Sequence, residues 1–297
     1  FIPYITYGNT IPAVLKFGSP QNYLFLSIWW DWYRTNASEP FVSPNIEDNG
    51  IEIQGGMRYI PKTDGKRNNM YERIFLTISS VFEEVLPTIP NPPAIRGREA
   101  TDRLWTVTAP EKSWKDDHIR CRRIAAYGIE RVMQHSHEFT WRDEGESFTL
   151  RLKASPQKGG DAMLKWYNSA QQSLGWLQGM YTNYTDYAPV NSNFSEAGVN
   201  RLPDGEWRRA WRRCYAMKPS YGVEWDAKLA KRIQKKFGSN FAYTDVMTAV
   251  SPWGRCDYDS RVPGAGTLAS TFYAHGQILL NDQKVYGPTC SEGTYQW

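Results

Sequence analysis

What this sequence is short of narrows its chemistry before any motif is read. Only four of its 297 residues are cysteine and four are histidine. Cys121, Cys214, Cys256 and Cys290 lie far apart with no CxxC pair, which excludes a zinc ribbon and a thioredoxin-like motif. A chain of this length does not need disulfides to bury a core. Long hydrophobic runs are missing too. The longest, YLFLSIWWDWY (23–33), is too short to span a membrane and contains Asp31. Charge of one sign is scarce: 35 Lys and Arg against 31 Asp and Glu leave a net +4, too mild to make nucleic acid or an anionic membrane a partner. No GxGxxG follows any predicted strand, which argues against a dinucleotide fold. There is neither an initiator Met nor a signal-peptide pattern. The expectation is therefore a chain that follows a cleavage or lies inside a longer protein, with its location left open by these features.

Aromatics, by contrast, are abundant: 13 Trp, 18 Tyr and 12 Phe make up 14% of the chain. Most such rings fill a core. Trp and Tyr also offer a flat apolar face with a polar edge, which suits the C–H face of a sugar ring.

The rhythm of the sequence changes part-way along. Residues 1–95 show short alternating runs, with strands expected at 51–61 and within 71–90, and turns at Gly55-Gly56 and Thr63-Asp64-Gly65. NPPAIRG (91–97) reads as a linker. After it, strands and helices alternate. Strands are expected at 103–109, 131–137, 176–184, 211–217, 241–248 and 288–292, and helices at 114–128, 161–175, 222–238 and 265–287. A long polar loop, 185–209, interrupts the series. Strict alternation argues for a parallel sheet, and units in line with long loops after the strands fit a (β/α)8-type TIM barrel. The expected architecture is thus α/β: a β-rich, sandwich-like domain over 1–95, then a barrel over 96–297 that is truncated or completed elsewhere.

In a barrel the chemistry sits at the carboxyl ends of the strands. Read in order, those ends carry His135 and His137, then Asn183 and Asp186, then Lys218, Asp245 and Glu292. Period two puts Phe241, Tyr243, Asp245 and Met247 on one face, so Asp245 ends an otherwise apolar row. Glu292 ends its own strand in the same way. Two carboxylates at adjacent strand ends are what glycoside hydrolysis needs: one as nucleophile or base, the other as proton donor to the leaving oxygen. The plain alternative for either acid is a solvated rim residue or a salt bridge.

The run YTDVMTA, PW, DYDSR, a long helix and GPTCSEG resembles a group of bacterial glycosidase barrels, the endo-α-N-acetylgalactosaminidases and smaller α-N-acetylgalactosaminidases. QHSHEFTW (134–141), GGDAMLKWYNSAQQSLGW (159–176) and MYTNYTDY (180–187) resemble earlier segments of the same barrels. The resemblance covers roughly residues 70–297. It implies a retaining glycosidase acting on an α-linked oligosaccharide or polysaccharide, with Asp245 as nucleophile and Glu292 as acid/base. It implies no cofactor and no metal. The expected sugar contacts are His135, His137, Trp141, Asn183, Asp186, Lys218, Tyr243, Trp253, Asp257, Asp259 and Arg261, with ion pairing within the DYDSR loop as the alternative for its charged members.

Two other classes stay open. His135-Ser136-His137 has the spacing by which amidohydrolase barrels chelate zinc, although the remaining histidines, His118 and His275, fall in predicted helices. A glycan-binding protein without turnover has the same aromatic composition. PGAG (263–266) offers either an anion cradle or a loop leading into a helix, and RRAWRRC (208–214) either a basic patch or a structural segment.

Overall fold

A computed structural model describes residues 13–31, 34–47, 50–86, 96–108, 113–140 and 149–293. The N-terminal part forms two small antiparallel sheets. β1 (Ala13–Ser19), β2 (Asn22–Trp30) and β5 (Ile74–Ser79) make one, in the order β1-β2-β5; β3 (Glu39–Glu47) and β4 (Gly50–Arg58) make the other. The turn expected at Gly55-Gly56 is not one. Both glycines lie within β4, paired with Val42 and Phe41, so the ladder runs straight through them. Thr63-Asp64-Gly65 does turn, with the Gly65 amide donating to the Lys62 carbonyl at 2.8 Å and the Lys66 amide to Asp64 Oδ1 at 3.0 Å. Within 71–90 a single strand, β5, is followed by a short 3-10 turn. Most of the expected linker, 91–95, lies outside the described residues.

A short helix, α1 (Gly97–Thr101), leads into the second part. Five strands follow there with their crossovers: β6 (Leu104–Thr108), α2 (Trp114–Ala126), β7 (Val132–Ser136), α3 (Gly160–Gln172), β8 (Leu177–Thr182), then after a long excursion α4 (Pro219–Phe237), β11 (Phe241–Thr248), α5 (Leu268–Val285) and β12 (Thr289–Gly293). All neighbours are parallel, in the order β6-β7-β8-β11-β12. Each strand is added on the same side as the last, which a doubly wound sheet, reversing its order, does not do. The sheet curls into an open half-barrel with helices on its outer face. The curl brings the Trp105 ring of edge strand β6 to within 6.4 Å, centroid to centroid, of Tyr243 on β11, three strands away.

The helices begin and end where their sequences dictate. The Ser113 side chain caps α2 by accepting from the Asp116 amide, and Thr267 caps α5 by accepting from Ser270. Pro219 opens α4, and Gly238, at φ 72°, closes it in the left-handed region that a side chain would disfavour. Their buried faces meet the outer side of the sheet. There Leu164, Tyr167, Met180, Leu229, Ile233, Phe237 and Ile278 form the core. Polar strand residues on that side are matched to the helices: the Gln171 amide donates to Gln134 Oε1 at 2.9 Å, and the Thr244 hydroxyl donates to Asp282.

The strand expected at 211–217 is absent from the barrel. β11 pairs directly with β8, and only Tyr215–Ala216 is extended, as β10, antiparallel to β9 (Asp186–Tyr187). The reason is physical. A central parallel strand is covered on both faces, and Arg212 and Arg213 would have to be buried there. Outside the sheet, the arginines of this region lie over aromatic rings instead, with Arg209 4.5 Å from Tyr215 and Arg208 5.8 Å from Tyr258.

The two parts touch through the loop between β11 and α5. Ser38 Oγ donates to the Gly266 carbonyl at 2.7 Å, the Leu268 amide to Ala37 at 2.9 Å, and the Thr63 amide to Tyr258 at 3.0 Å. In PGAG the amides of Ala265 and Gly266 donate to the Val262 and Asp257 carbonyls, so these two are already engaged within the protein.

Candidate active site

Asp245 stands where the regular ladder of β11 breaks, three residues before the strand ends at Thr248, and Glu292 is the penultimate residue of the paired strand β12. Three donors converge on Asp245. The Tyr181 hydroxyl donates to Oδ2 at 2.7 Å and the Asn183 amide to the same oxygen at 3.4 Å, while the Tyr243 hydroxyl donates to Oδ1 at 3.0 Å. The period of two holds as far as Asp245 and then breaks. Val246 takes φ 69°, a left-handed conformation that costs a β-branched residue on the order of 1–3 kcal/mol, and the register with β12 shifts between Thr244 and Thr248. Past the shift the two strands are tied by Thr248, whose amide donates to Ser291 Oγ at 3.2 Å and whose hydroxyl donates to the Glu292 carbonyl at 2.5 Å. Glu292 is exposed at the rim. Its pKa is nevertheless pushed up, first by partial desolvation, then by the charges of Asp245 and Asp186. The two acids therefore share one electrostatic environment.

Beneath them the lumen is aromatic. His135 and Tyr243 are stacked, ring centroids 3.8 Å apart and planes 2° from parallel. Trp105 lies 5.4 Å from His135, and Tyr181 6.0 Å from Tyr243. His135 is only 1% exposed, and burial, helped by the charge of His137, lowers its pKa to about 3. His137 is half-buried beside Tyr181.

Several expected sugar contacts are buried and have protein partners. Asn183 is buried; beyond Asp245 its amide reaches Asp186 Oδ2 at 3.2 Å, and its carbonyl oxygen accepts from the Thr185 and Asp186 amides. Asp186 is buried against Arg255, whose Nη2 stands 3.1 Å from Oδ1, and burial pushes the Asp186 carboxyl up despite that partner. Lys218, expected at a strand end, precedes α4 instead and makes a buried ion pair with Asp259 at 2.5 Å. Arg261 grips the same carboxylate through two bonds of 2.8 Å. Asp257 Oδ1 accepts the Arg201 amide at 2.8 Å. These four charged residues tie down the loop that the β11 strand runs into. Trp253 is half-buried in the 3-10 turn of that loop, and Trp141 lies outside the described residues. Tyr181, Trp105 and Arg255 were not anticipated. The Gly179, Tyr181, Asn183 alternation was the available signal for the first of them.

The histidine spacing does not extend to a metal centre. Among the described residues no three His, Cys, Asp or Glu side chains are placed to hold an ion. His118 sits on the helix side, its Nδ1 2.8 Å from Gln171 Oε1, and His275 is buried in α5.

No protein-family model matches the chain, and no curated protein matches it by sequence. Solved structures do match in shape. An α-N-acetylgalactosaminidase, NagBb from Bifidobacterium bifidum, superposes with a TM-score of 0.67 at 16% identity, over 91% of this chain and 48% of that one. The α-galactosidase TtGalA from Thermus thermophilus gives 0.53 at 15% identity, over 93% and 51%. An α-galactosidase from Lactobacillus brevis gives 0.51 at 11% identity, over 91% and 38%. The likeness is one of fold. This chain spans about half the length of NagBb and TtGalA.

Proposed function

We propose that this chain carries the catalytic centre of a glycoside hydrolase that cleaves an α-glycosidic bond with retention. The observation that carries the reading is the convergence of Asp245 and Glu292 at neighbouring strand ends, where the charge of one raises the pKa of the other. The shape shared with α-galactosidases and an α-N-acetylgalactosaminidase supports it, and suggests an α-linked galactose or N-acetylgalactosamine as the sugar.

The division of labour follows from the two environments. Asp245, facing three hydrogen-bond donors, attacks the anomeric carbon as a carboxylate, and the bond to the leaving oxygen breaks. Glu292 has its pKa raised, so it holds a proton at a pH where an ordinary Glu has lost it, and gives that proton to the leaving oxygen. In the second half, the Glu292 carboxylate takes a proton from water as that water displaces Asp245 from the sugar. Trp105, 52% exposed on the open side of the lumen, offers a ring face for the substrate.

The test uses 4-nitrophenyl α-D-galactopyranoside and the corresponding N-acetylgalactosaminide. Asp245→Asn and Glu292→Gln should each abolish turnover while leaving sugar affinity nearly intact, and wild-type product should first form as the α-anomer. Normal turnover by both variants would falsify the assignment.

A further inference from the structure

His135, read from the sequence as a sugar contact, is 1% exposed and packs against other lumen rings. Its partner across the β7–β8 ladder is Gly179. A side chain there cannot be accommodated, since a Cβ on Gly179 would lie 2.4 Å from Phe241 Cδ1 and 2.9 Å from the Phe241 carbonyl oxygen. With no side chain on β8 in the way, the imidazole of β7 reaches over that strand to lie flat on the Tyr243 ring of β11. The other aromatic pairs of the lumen are tilted by 34–43°. This one alone among them is parallel, at 2°.

We propose that His135 is a positioning residue: its stacked ring fixes the plane of Tyr243, and Tyr243 in turn sets the rotation of the Asp245 carboxylate. The inference rests on the reading of Asp245 as nucleophile. Among the described residues, Oδ2 of Asp245 receives two donors, Tyr181 and Asn183, while Oδ1 receives Tyr243. Two donors on one oxygen leave the carboxylate free to swing about that oxygen, and the Tyr243 hydroxyl stops the swing. The His135 ring acts through its face. Its Nδ1 is buried with no hydrogen-bond partner, and burial holds the imidazole neutral above a pH of about 3, so the stack carries no charge that would need a counter-ion.

The test compares His135→Leu, which keeps bulk but loses the flat face, with His135→Phe, which keeps the face. Turnover of the two aryl glycosides should fall about 10- to 100-fold in kcat for the Leu variant, with KM little changed, because a displaced reacting group costs rate more than affinity. The Phe variant should recover most of that loss. Tyr243→Phe should match the Leu variant, and combining the two should add little further loss. A crystal structure of His135→Leu should show the Tyr243 hydroxyl withdrawn from Oδ1. If the hydroxyl stays bonded, or if Leu and Phe behave alike, or if only thermal stability changes, the positioning role is wrong. Failure of the parent reading looks different: turnover surviving Asp245→Asn would refute the nucleophile itself. Loss of turnover in Asp245→Asn with wild-type kcat in His135→Leu would refute this inference alone.

Discussion

Replacing Asp259 with asparagine removes one charge from the buried pair that anchors the loop after β11. The side chains of Lys218 and Asp259 are 7% and 2% exposed. Breaking such a pair from one side strands the other charge out of water, which typically costs 3–5 kcal/mol. Here the stranded ammonium still feels Asp257, so the lower end applies, about 3 kcal/mol. Lys218→Met should cost less, because Asp259 keeps both bonds to Arg261, whose exposed guanidinium brings its own hydration. A combined Lys218→Met and Asp259→Leu variant should recover part of the loss, since neither charge is then left unmatched. Equilibrium urea unfolding at pH 7, followed by tryptophan fluorescence, reads all three. A 3 kcal/mol loss shifts the folding equilibrium by roughly two orders of magnitude. The pH dependence adds a check. Hydrogen bonds from Arg261, then from Lys218, depress the folded-state pKa of Asp259. Its stabilisation is therefore complete above the unfolded value of about 3.9 and is lost as pH falls through the folded one. The gap between wild type and Asp259→Asn should close below about pH 4. A cost under about 1 kcal/mol, or a larger cost for Lys218→Met, would refute the reasoning.

Three further outcomes are expected. Gly179→Ala forces a methyl against the Phe241 ring and carbonyl and should destabilise by about 1–3 kcal/mol in a thermal melt; an unchanged melt would contradict the close approach of β8 to β11. Asp282→Asn should be more stable than wild type at pH 8. Burial beside Asp226 pushes the Asp282 carboxyl well up, so the folded state holds a proton the unfolded chain releases, and stability is lost as pH rises above about 4; the advantage should shrink on acidification. Finally, the Glu292 carboxyl should titrate above an ordinary Glu by carbon NMR and drop back in Asp245→Asn, while kcat/KM falls as pH rises through that midpoint. No change in the Asp245→Asn titration would mean that the two acids do not face each other.

Much of the half-barrel was readable in advance because its signals are local. A capping Ser113, a closing Gly238 and an apolar stripe define a helix without reference to anything far away. The alternation FAYTD likewise marks β11 and puts Asp245 where its regular ladder stops, although the strand runs on to Thr248. The errors share one cause. WRRCYAM alternates well enough for a strand, and Gly55-Gly56 looks like a turn, but partners decide both. Arg212 and Arg213 cannot enter a sheet covered on two faces, while Val42 and Phe41 hold the glycines in a ladder. His135 and Asn183 do lie at or just past strand ends, whereas Lys218 precedes a helix. Their depth, which decides whether they meet a ligand or each other, depends on how far the sheet curls.

Taken alone, the order of amino acids determined the alternation of strands and helices over most of the half-barrel and the pair of acids worth watching, since these follow from a few neighbouring residues. Only packing decided that β11 lies beside β8, that His135 backs Tyr243, and that the charge of Asp245 reaches Glu292. Such contacts join positions 40 to 110 residues apart, and they form because burying apolar surface, with strand polar groups such as Gln134 and Thr244 matched to the helices, selects one curvature for the sheet.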